Sequence, residues 1–221
     1  MTKALFLDFY GTVVHEDGAV IREITEMIAD AGNAGSAAEI GRFWWSRFQE
    51  MCGAAHGARF ETQRALELRS LEDTIRRFGS AADAGELSGR MFAHWRRPEI
   101  FEDTKPFFER CPVPIYILSN IDSQDIQAAL DCHGLTPAGV FTSEDVRAYK
   151  PRQELFRLAL ESTGLKPEEA VHIGDSLSSD VKGAAQAGIP ALWLNRAGRD
   201  VPEDTVSIRT LLDGIKYLQE R

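Results

Sequence analysis

Between residues 113 and 194, short apolar runs alternate with amphipathic segments, and a glycine closes each amphipathic segment. Val113–Leu118, Val140–Thr142, Val171–Gly174 and Ala191–Leu194 have strand length and strand character. Between them, Asp122–His133, Arg152–Thr163 and Ser178–Ala187 carry helical periodicity and stop at Gly134, Gly164 and Gly188. Val206–Ile208 reads as an edge strand, followed by a terminal helix from Arg209. Continuous apolar strands separated by helices call for a parallel sheet covered on both faces. Right-handed crossovers then bring every strand's C-terminal tip to one edge. The predicted fold class is therefore α/β, with a doubly wound, mostly parallel sheet.

The same logic applies at the N-terminus. Ala4–Leu7 is another apolar run, and it ends in Asp8-Phe9-Tyr10-Gly11-Thr12. A carboxylate at a strand tip points into the crevice where open α/β sheets bind ligands, and Gly11 lets the backbone turn sharply beside it. Alone, such an acid could equally cap the turn. From Gly18 to Trp95 no strand pattern appears. Four amphipathic segments, Ala19–Ala31, Ala37–Cys52, Glu61–Phe78 and Asp83–Trp95, are separated at Gly32-Asn33, Gly53 and Gly79-Ser80. The chain thus divides into a core of residues 1–15 and 98–221 and an inserted four-helix cap of residues 16–97.

Three further strand ends gather chemistry at the same edge. Ser119-Asn120 follows Ile115–Leu118 and precedes a helix start at Asp122-Ser123. A hydroxyl beside free helix N–H groups suits an anion, although helix capping explains it as well. Lys150-Pro151 precedes the next helix, with Pro151 expected in its first turn. A lysine beside the strand tips can pair with a carboxylate and a phosphate. His172-Ile173-Gly174-Asp175-Ser176 again ends a strand in an acid, and Asp180 follows. Asp175 facing Asp8 would offer oxygen ligands to a hard cation such as Mg2+.

A net charge of −9 over 221 residues excludes a general nucleic-acid binder. Three widely spaced cysteines suggest neither a disulfide framework nor a cysteine zinc site. No run resembles a signal peptide or a membrane span. The expectation is a cytoplasmic protein, monomeric or homodimeric, acting on a small molecule.

Taken in order, Asp8-x-Tyr10-Gly11-Thr12, Ser119-Asn120, Lys150-Pro151 and Gly174-Asp175-Ser176-x-x-x-Asp180 resemble the four motifs of the haloacid dehalogenase-like hydrolase superfamily. The resemblance covers residues 1–14 and 98–221, and the helical insert resembles that superfamily's cap. It implies that Asp8 attacks a phosphoryl group to form an aspartyl intermediate. It also implies that Ser119 and Lys150 hold phosphoryl oxygens, with Gly11, Thr12 and Asn120 lining the substrate. Asp8, the Tyr10 main-chain carbonyl and Asp175 would bind Mg2+, supported by Ser176 and Asp180. The implied activity is Mg2+-dependent hydrolysis of a small phosphomonoester.

Tyr10 departs from that pattern, because the phosphatases of the superfamily carry a second aspartate there as acid and base. A phenol with a reference pKa of about 10 is a poor base at neutral pH. Asp-x-Tyr-Gly-Thr also resembles the 2-haloacid dehalogenases, which displace halide without metal. Those enzymes lack the Gly-Asp acid and carry Asn where Leu177 aligns. They have Tyr where this chain has Phe156, and an arginine where Ser46 aligns. A third reading is a weakened member that binds phosphate without turnover. In the cap, Arg42, Trp44, Trp45, Arg47 and His56 are candidates for substrate contact, with bundle core or a dimer surface the other role for the aromatics.

Overall fold

The computed structural model describes residues 1–32 and 35–220. Asn33, expected at the first break of the insert, lies outside the described residues. Six strands form one sheet: β1 (Ala4–Leu7), β2 (Ile115–Ser119), β3 (Gly139–Thr142), β4 (Ala170–Gly174), β5 (Ala191–Leu194) and β6 (Ser207–Ile208). Their order is β3-β2-β1-β4-β5-β6, and every neighbouring pair is parallel. β1 lies between β2 and β4, with Leu5 in register with both Ile115 and Val171. The chain runs outward to β3 and returns across β1 to β4, so the strand order reverses at β1. That reversal opens the crevice in which such sheets bind ligands.

The helices are α1 (Gly18–Asp30), α2 (Ala37–Ala54), α3 (Gln63–Arg77), α4 (Ala84–Arg96), α5 (Thr104–Arg110), α6 (Ser123–His133), α7 (Ser143–Val146), α8 (Glu154–Thr163), α9 (Gly183–Gln186) and α10 (Leu211–Gln219). Contacts divide the chain into two units. The first comprises Met1–His15, Glu99–Asn120 and His133–Arg221; the second comprises Glu16–Pro98 and Ile121–Cys132.

In the first unit the sheet is buried as its apolar strands require. Leu5, Phe6, Leu7, Val171 and Ile173 are fully inaccessible. Phe6, Leu118, Phe156 and Ile189 share one core cluster, each apolar side chain contributing about 1.5–3 kcal/mol on burial. Gly164 and Gly188 adopt positive φ angles of 67° and 77° directly after their helices, which explains their recurrence as helix stops.

In the second unit, Ser36, Thr62 and Asp83 accept backbone hydrogen bonds at the starts of α2, α3 and α4. These caps satisfy N–H groups that have no partner within the helix. Residues 121–132, assigned from sequence to the core, cluster with this unit. Asp122 accepts hydrogen bonds from the Gln63 and Arg64 amides at 2.7 and 3.0 Å, and Arg64 grips Asp125 through two nitrogens. Asp122, just before α6, thus serves the N-terminus of α3.

Several expectations are corrected. Pro151 does not open a helix: the Lys150–Pro151 peptide is cis, and α8 begins only at Glu154. The segment Ser178–Ala187 is not one α-helix. Leu177–Lys182 winds as a wider π-type turn before α9, with the Val181 amide donating to the Ser176 carbonyl five residues back. The terminal helix starts at Leu211, two residues later than expected. α5 escaped the sequence reading because seven residues hold too few turns to show a period.

Candidate active site

Asp8 lies at the tip of the central strand and is 7% exposed. Its Oδ1 accepts a 2.7 Å hydrogen bond from Lys150 Nζ. The same ammonium donates to Asp180 Oδ1 at 2.6 Å and to the Leu118 carbonyl at 2.9 Å. An ammonium has three donors, and all three are used. Lys150 therefore does not have a hydrogen free for a phosphoryl oxygen in this arrangement, contrary to the sequence expectation. It acts here as the counter-charge of two acids.

Asp180 is held on every side. Besides Lys150, His172 Nε2 lies 3.0 Å from Oδ1, and the Ser176 amide donates to Oδ2 at 3.0 Å. Burial opposes its charge, but Lys150 and then His172 outweigh burial and keep its carboxyl well below the usual range. Burial pushes the pKa of His172 down, so the ring is neutral and donates from Nε2 to the ionised carboxylate. For Asp8 the balance falls the other way. Burial raises its pKa to about 6 against the pull of Lys150, and the charge on Asp180 adds to the rise. One ammonium shared by two carboxylates serves Asp180 better and leaves Asp8 short of positive charge. Lys150 itself stays charged: burial works against it, but the facing acids raise its pKa.

Two glycines let the acids come together. Gly11 has φ +87°, and a Cβ there would lie 2.8 Å from the Asp175 carboxylate. A Cβ on Gly174 would lie 2.2 Å from Asp180 Cγ, so Asp180 folds back beneath a residue that has no side chain. Trp193 Nε1 donates to the Asp175 carbonyl at 2.8 Å and fixes that residue's backbone. Asp8, Asp175 and Asp180 each present an oxygen within 4.8 Å of the others. Both oxygens of Asp180 accept hydrogen bonds within the fold, and the carboxylates of Asp8 and Asp175 are ligands of the kind that a hard cation takes. The carboxylate donor set and the space beside Gly11 fit such an ion.

The remaining candidates have mixed outcomes. Ser119 ends β2 beside this cluster and is 1% exposed. Asn120 brackets the Lys150 backbone: its Oδ1 accepts from the Lys150 amide at 2.7 Å and its Nδ2 donates one hydrogen to the Lys150 carbonyl at 3.1 Å. It positions the lysine. Thr12 is fully buried, and its Oγ1 has no hydrogen-bond partner among the described residues. Its carbonyl accepts from Arg196, which also pairs with Asp103 and covers the Phe101 ring at 3.8 Å. Ser176 accepts from the Ser179 amide and so caps the π-type turn. Tyr10 is half-buried, bridges Val14 and packs its ring edge-on against Phe9.

Sequence reasoning missed His172 and Arg196. His172 lies inside an apolar strand and looks like core, and its partner Asp180 returns to it only through the turn after Gly174. Arg196 follows β5, with a partner 93 residues away. No local pattern connects them.

In the cap-like unit, Trp44 is buried and donates to Ser70 Oγ at 3.0 Å, while Trp45 is 59% exposed and stacks on Phe48. Arg47 pairs with Asp73 and Glu50. His56 precedes a short 3-10 turn, and its side chain makes no capping hydrogen bond to that turn.

Comparison with known proteins places this geometry. A phosphoserine phosphatase from Thermus thermophilus is 31% identical over 144 residues, covering 62% of this chain and 56% of that protein. An (S)-2-haloacid dehalogenase from Pseudomonas sp. strain YL is 28% identical over 202 residues, covering 89% and 84%. The chain spans little more than half of the phosphatase and 38% of the glyceraldehyde 3-phosphate phosphatases it also matches. The magnesium-bound crystal structure of the putative HAD-hydrolase YfnB from Bacillus subtilis superposes with a TM-score of 0.79 at 20% identity, covering 99% of each chain. The family model described as haloacid dehalogenase-like hydrolase matches residues 2–188. With four motif-bearing strand ends on one parallel sheet and that match across most of its length, this chain belongs to the haloacid dehalogenase-like hydrolases.

Proposed function

We propose that this hydrolase is a Mg2+-dependent phosphohydrolase acting on a small phosphomonoester, with Asp8 as nucleophile. The observation that carries the reading is the charge balance of the site. Three carboxylates gather with oxygens within 4.8 Å of one another, and the one ammonium among them bonds two, Asp8 and Asp180. Burial and the neighbouring Asp180 charge raise the pKa of Asp8 against the pull of Lys150, and the Asp175 carboxylate lies against Gly11 within 4.8 Å of it. A metal-free displacement has no use for Asp175. A divalent cation does.

In this reading Asp8, Asp175 and the main-chain carbonyl of Tyr10 hold Mg2+. The ion, when bound, screens the charge of the phosphate from the attacking carboxylate. Lys150 keeps Asp8 ionised and oriented. Asn120 holds the backbone of Lys150, while Asp180 and His172 fix its ammonium. Ser119, at the end of β2, receives a phosphoryl oxygen. Asp8 attacks phosphorus, the bond to the ester oxygen breaks, and that oxygen leaves with the electron pair and gains a proton. Water then attacks the same phosphorus, which releases inorganic phosphate and restores Asp8.

A second reading is halide displacement from a 2-haloacid. It is favoured by Tyr10 and by the length over which the dehalogenase relative matches.

Phosphate release from a panel of phosphomonoesters, with Mg2+ and with EDTA, tests the choice. Halide release from 2-chloropropionate is measured alongside, with Asp8→Asn as control. Mg2+-dependent phosphate release lost in Asp8→Asn is expected. Metal-independent halide release would overturn the phosphohydrolase reading, and silence in both assays despite Mg2+ binding would favour a non-catalytic protein.

A further inference from the structure

The cap-like unit contains a pocket lined by its own residues alone. It opens among α1, α2, α3 and α4 and has a volume of about 40 Å³. Trp44, Trp45, Phe48 and Trp95 supply aromatic walls, and Asp17 and Glu67 supply the acids. Three of the four tryptophans in the chain therefore line one small cavity.

Glu67 is the unusual member. It faces inward from α3, is 3% exposed, and its Oε1 has no hydrogen-bond partner among the described residues. Buried polar atoms without partners are rare because each costs the desolvation of its group. Nor do the groups around it supply a cation. Asp17, which precedes α1, accepts from Trp95 Nε1 at 3.3 Å through one oxygen. Its other oxygen lies 3.3 Å from His94 Nε2, without hydrogen-bond geometry. From α2, Cys52 contributes only a thiol, which burial and then the charge of Glu67 push up to about 12. Burial, with the Asp17 charge adding to it, raises the pKa of Glu67 itself well above the carboxylate range.

Aromatic faces attract cations through their quadrupoles, and more strongly when the cation is desolvated. The Glu67 carboxyl adds a negative charge to the same space when it ionises against a cation. The volume corresponds to about three water-sized groups, which matches two carbons and one nitrogen. A quaternary ammonium is too large to enter fully. We propose that this pocket binds a primary alkylammonium group of aminoethyl size, with Glu67 as its counter-ion and the tryptophans as its walls. The site is separate from the hydrolytic reading, so its failure would leave that reading intact.

The test is isothermal titration calorimetry of the full chain with ethylammonium chloride. Sodium chloride, ethanol and tetramethylammonium chloride serve as controls. Saturable binding of ethylammonium alone is expected, with a dissociation constant on the order of 1 mM for three heavy atoms. Repeating the titration in two buffers of different ionisation enthalpy should show proton release, as Glu67 ionises against the ligand. Glu67→Gln keeps the shape and removes the charge, and should weaken binding at least about tenfold. Should that variant fail to fold by circular dichroism, Trp45→Ala, at an exposed position, takes its place with an expected loss of about threefold. Absence of saturable binding, equal binding of ethanol, or unchanged affinity in the folded variant would overturn the proposal.

Discussion

Lys150 Nζ lies 2.7 Å from Asp8 Oδ1 in a site where the lysine side chain is 2% exposed and that of the aspartate 9%. The pair is not isolated, since the same nitrogen lies 2.6 Å from Asp180. The ammonium thus holds together one acid from the tip of β1 and one from the turn after β4.

Lys150→Met should lower the unfolding free energy by about 3–5 kcal/mol, because it leaves two buried carboxylates without their cation. The midpoint of guanidinium denaturation measures this. Adding Asp180→Asn should recover part of the loss, as one of the two stranded charges goes with it. A loss below about 1 kcal/mol for the single variant would contradict the charge balance described for the site.

Gly11→Ala places a Cβ against the Asp175 carboxylate at a left-handed backbone position. The backbone term alone should cost about 1–2 kcal/mol. Displacement of Asp175 should also weaken Mg2+ binding about 10–100-fold, read by calorimetric titration with the metal. Native-like Mg2+ affinity in a folded Gly11→Ala protein would remove Asp175 from the proposed ligands.

Tyr10 sits where an acid–base carboxylate would serve hydrolysis, and its ring instead packs on Phe9. If the missing base limits turnover, Tyr10→Asp should raise phosphatase kcat by about 10²-fold. Steady-state kinetics with the best substrate from the panel provides the measurement. An unchanged kcat would mean that another step is limiting.

Glu67 makes stability depend on pH. Its folded-state pKa lies well above 4.5, raised by burial and by Asp17. The folded protein therefore keeps a proton that the unfolded chain has released, and stability falls as pH rises from about 4.5 towards the folded value. Glu67→Gln should match the native protein at pH 4 and exceed it in denaturation midpoint at pH 8. A native protein more stable than the variant at pH 8 would show that Glu67 is ionised and compensated.

The parallel sheet was legible because each strand is buried on both faces and so reads as an unbroken apolar run, as Ala4–Leu7 and Ala170–Gly174 do. The strand-end acids were legible for a related reason: an apolar run can stop in Asp only where the chain reaches the sheet edge. Helix stops at Gly134, Gly164 and Gly188 followed from their positive φ angles. These are local properties, set by burial and backbone sterics, and the sequence carries them by itself.

What the tertiary structure alone decided was the division of hydrogen bonds among groups distant in the chain. Lys150 looked like a phosphate ligand until its three donors were found on Asp8, Asp180 and the Leu118 carbonyl. Asn120 looked like a substrate contact until its amide was found on the lysine backbone. Asp122, noted in sequence only as lying near a helix start, accepts from the amides at the start of α3. A side chain's type limits what it can bond, but only the folded chain determines which of several partners comes within 3 Å. Asp8 was therefore identifiable from sequence, while its shortage of positive charge emerged only from the fold.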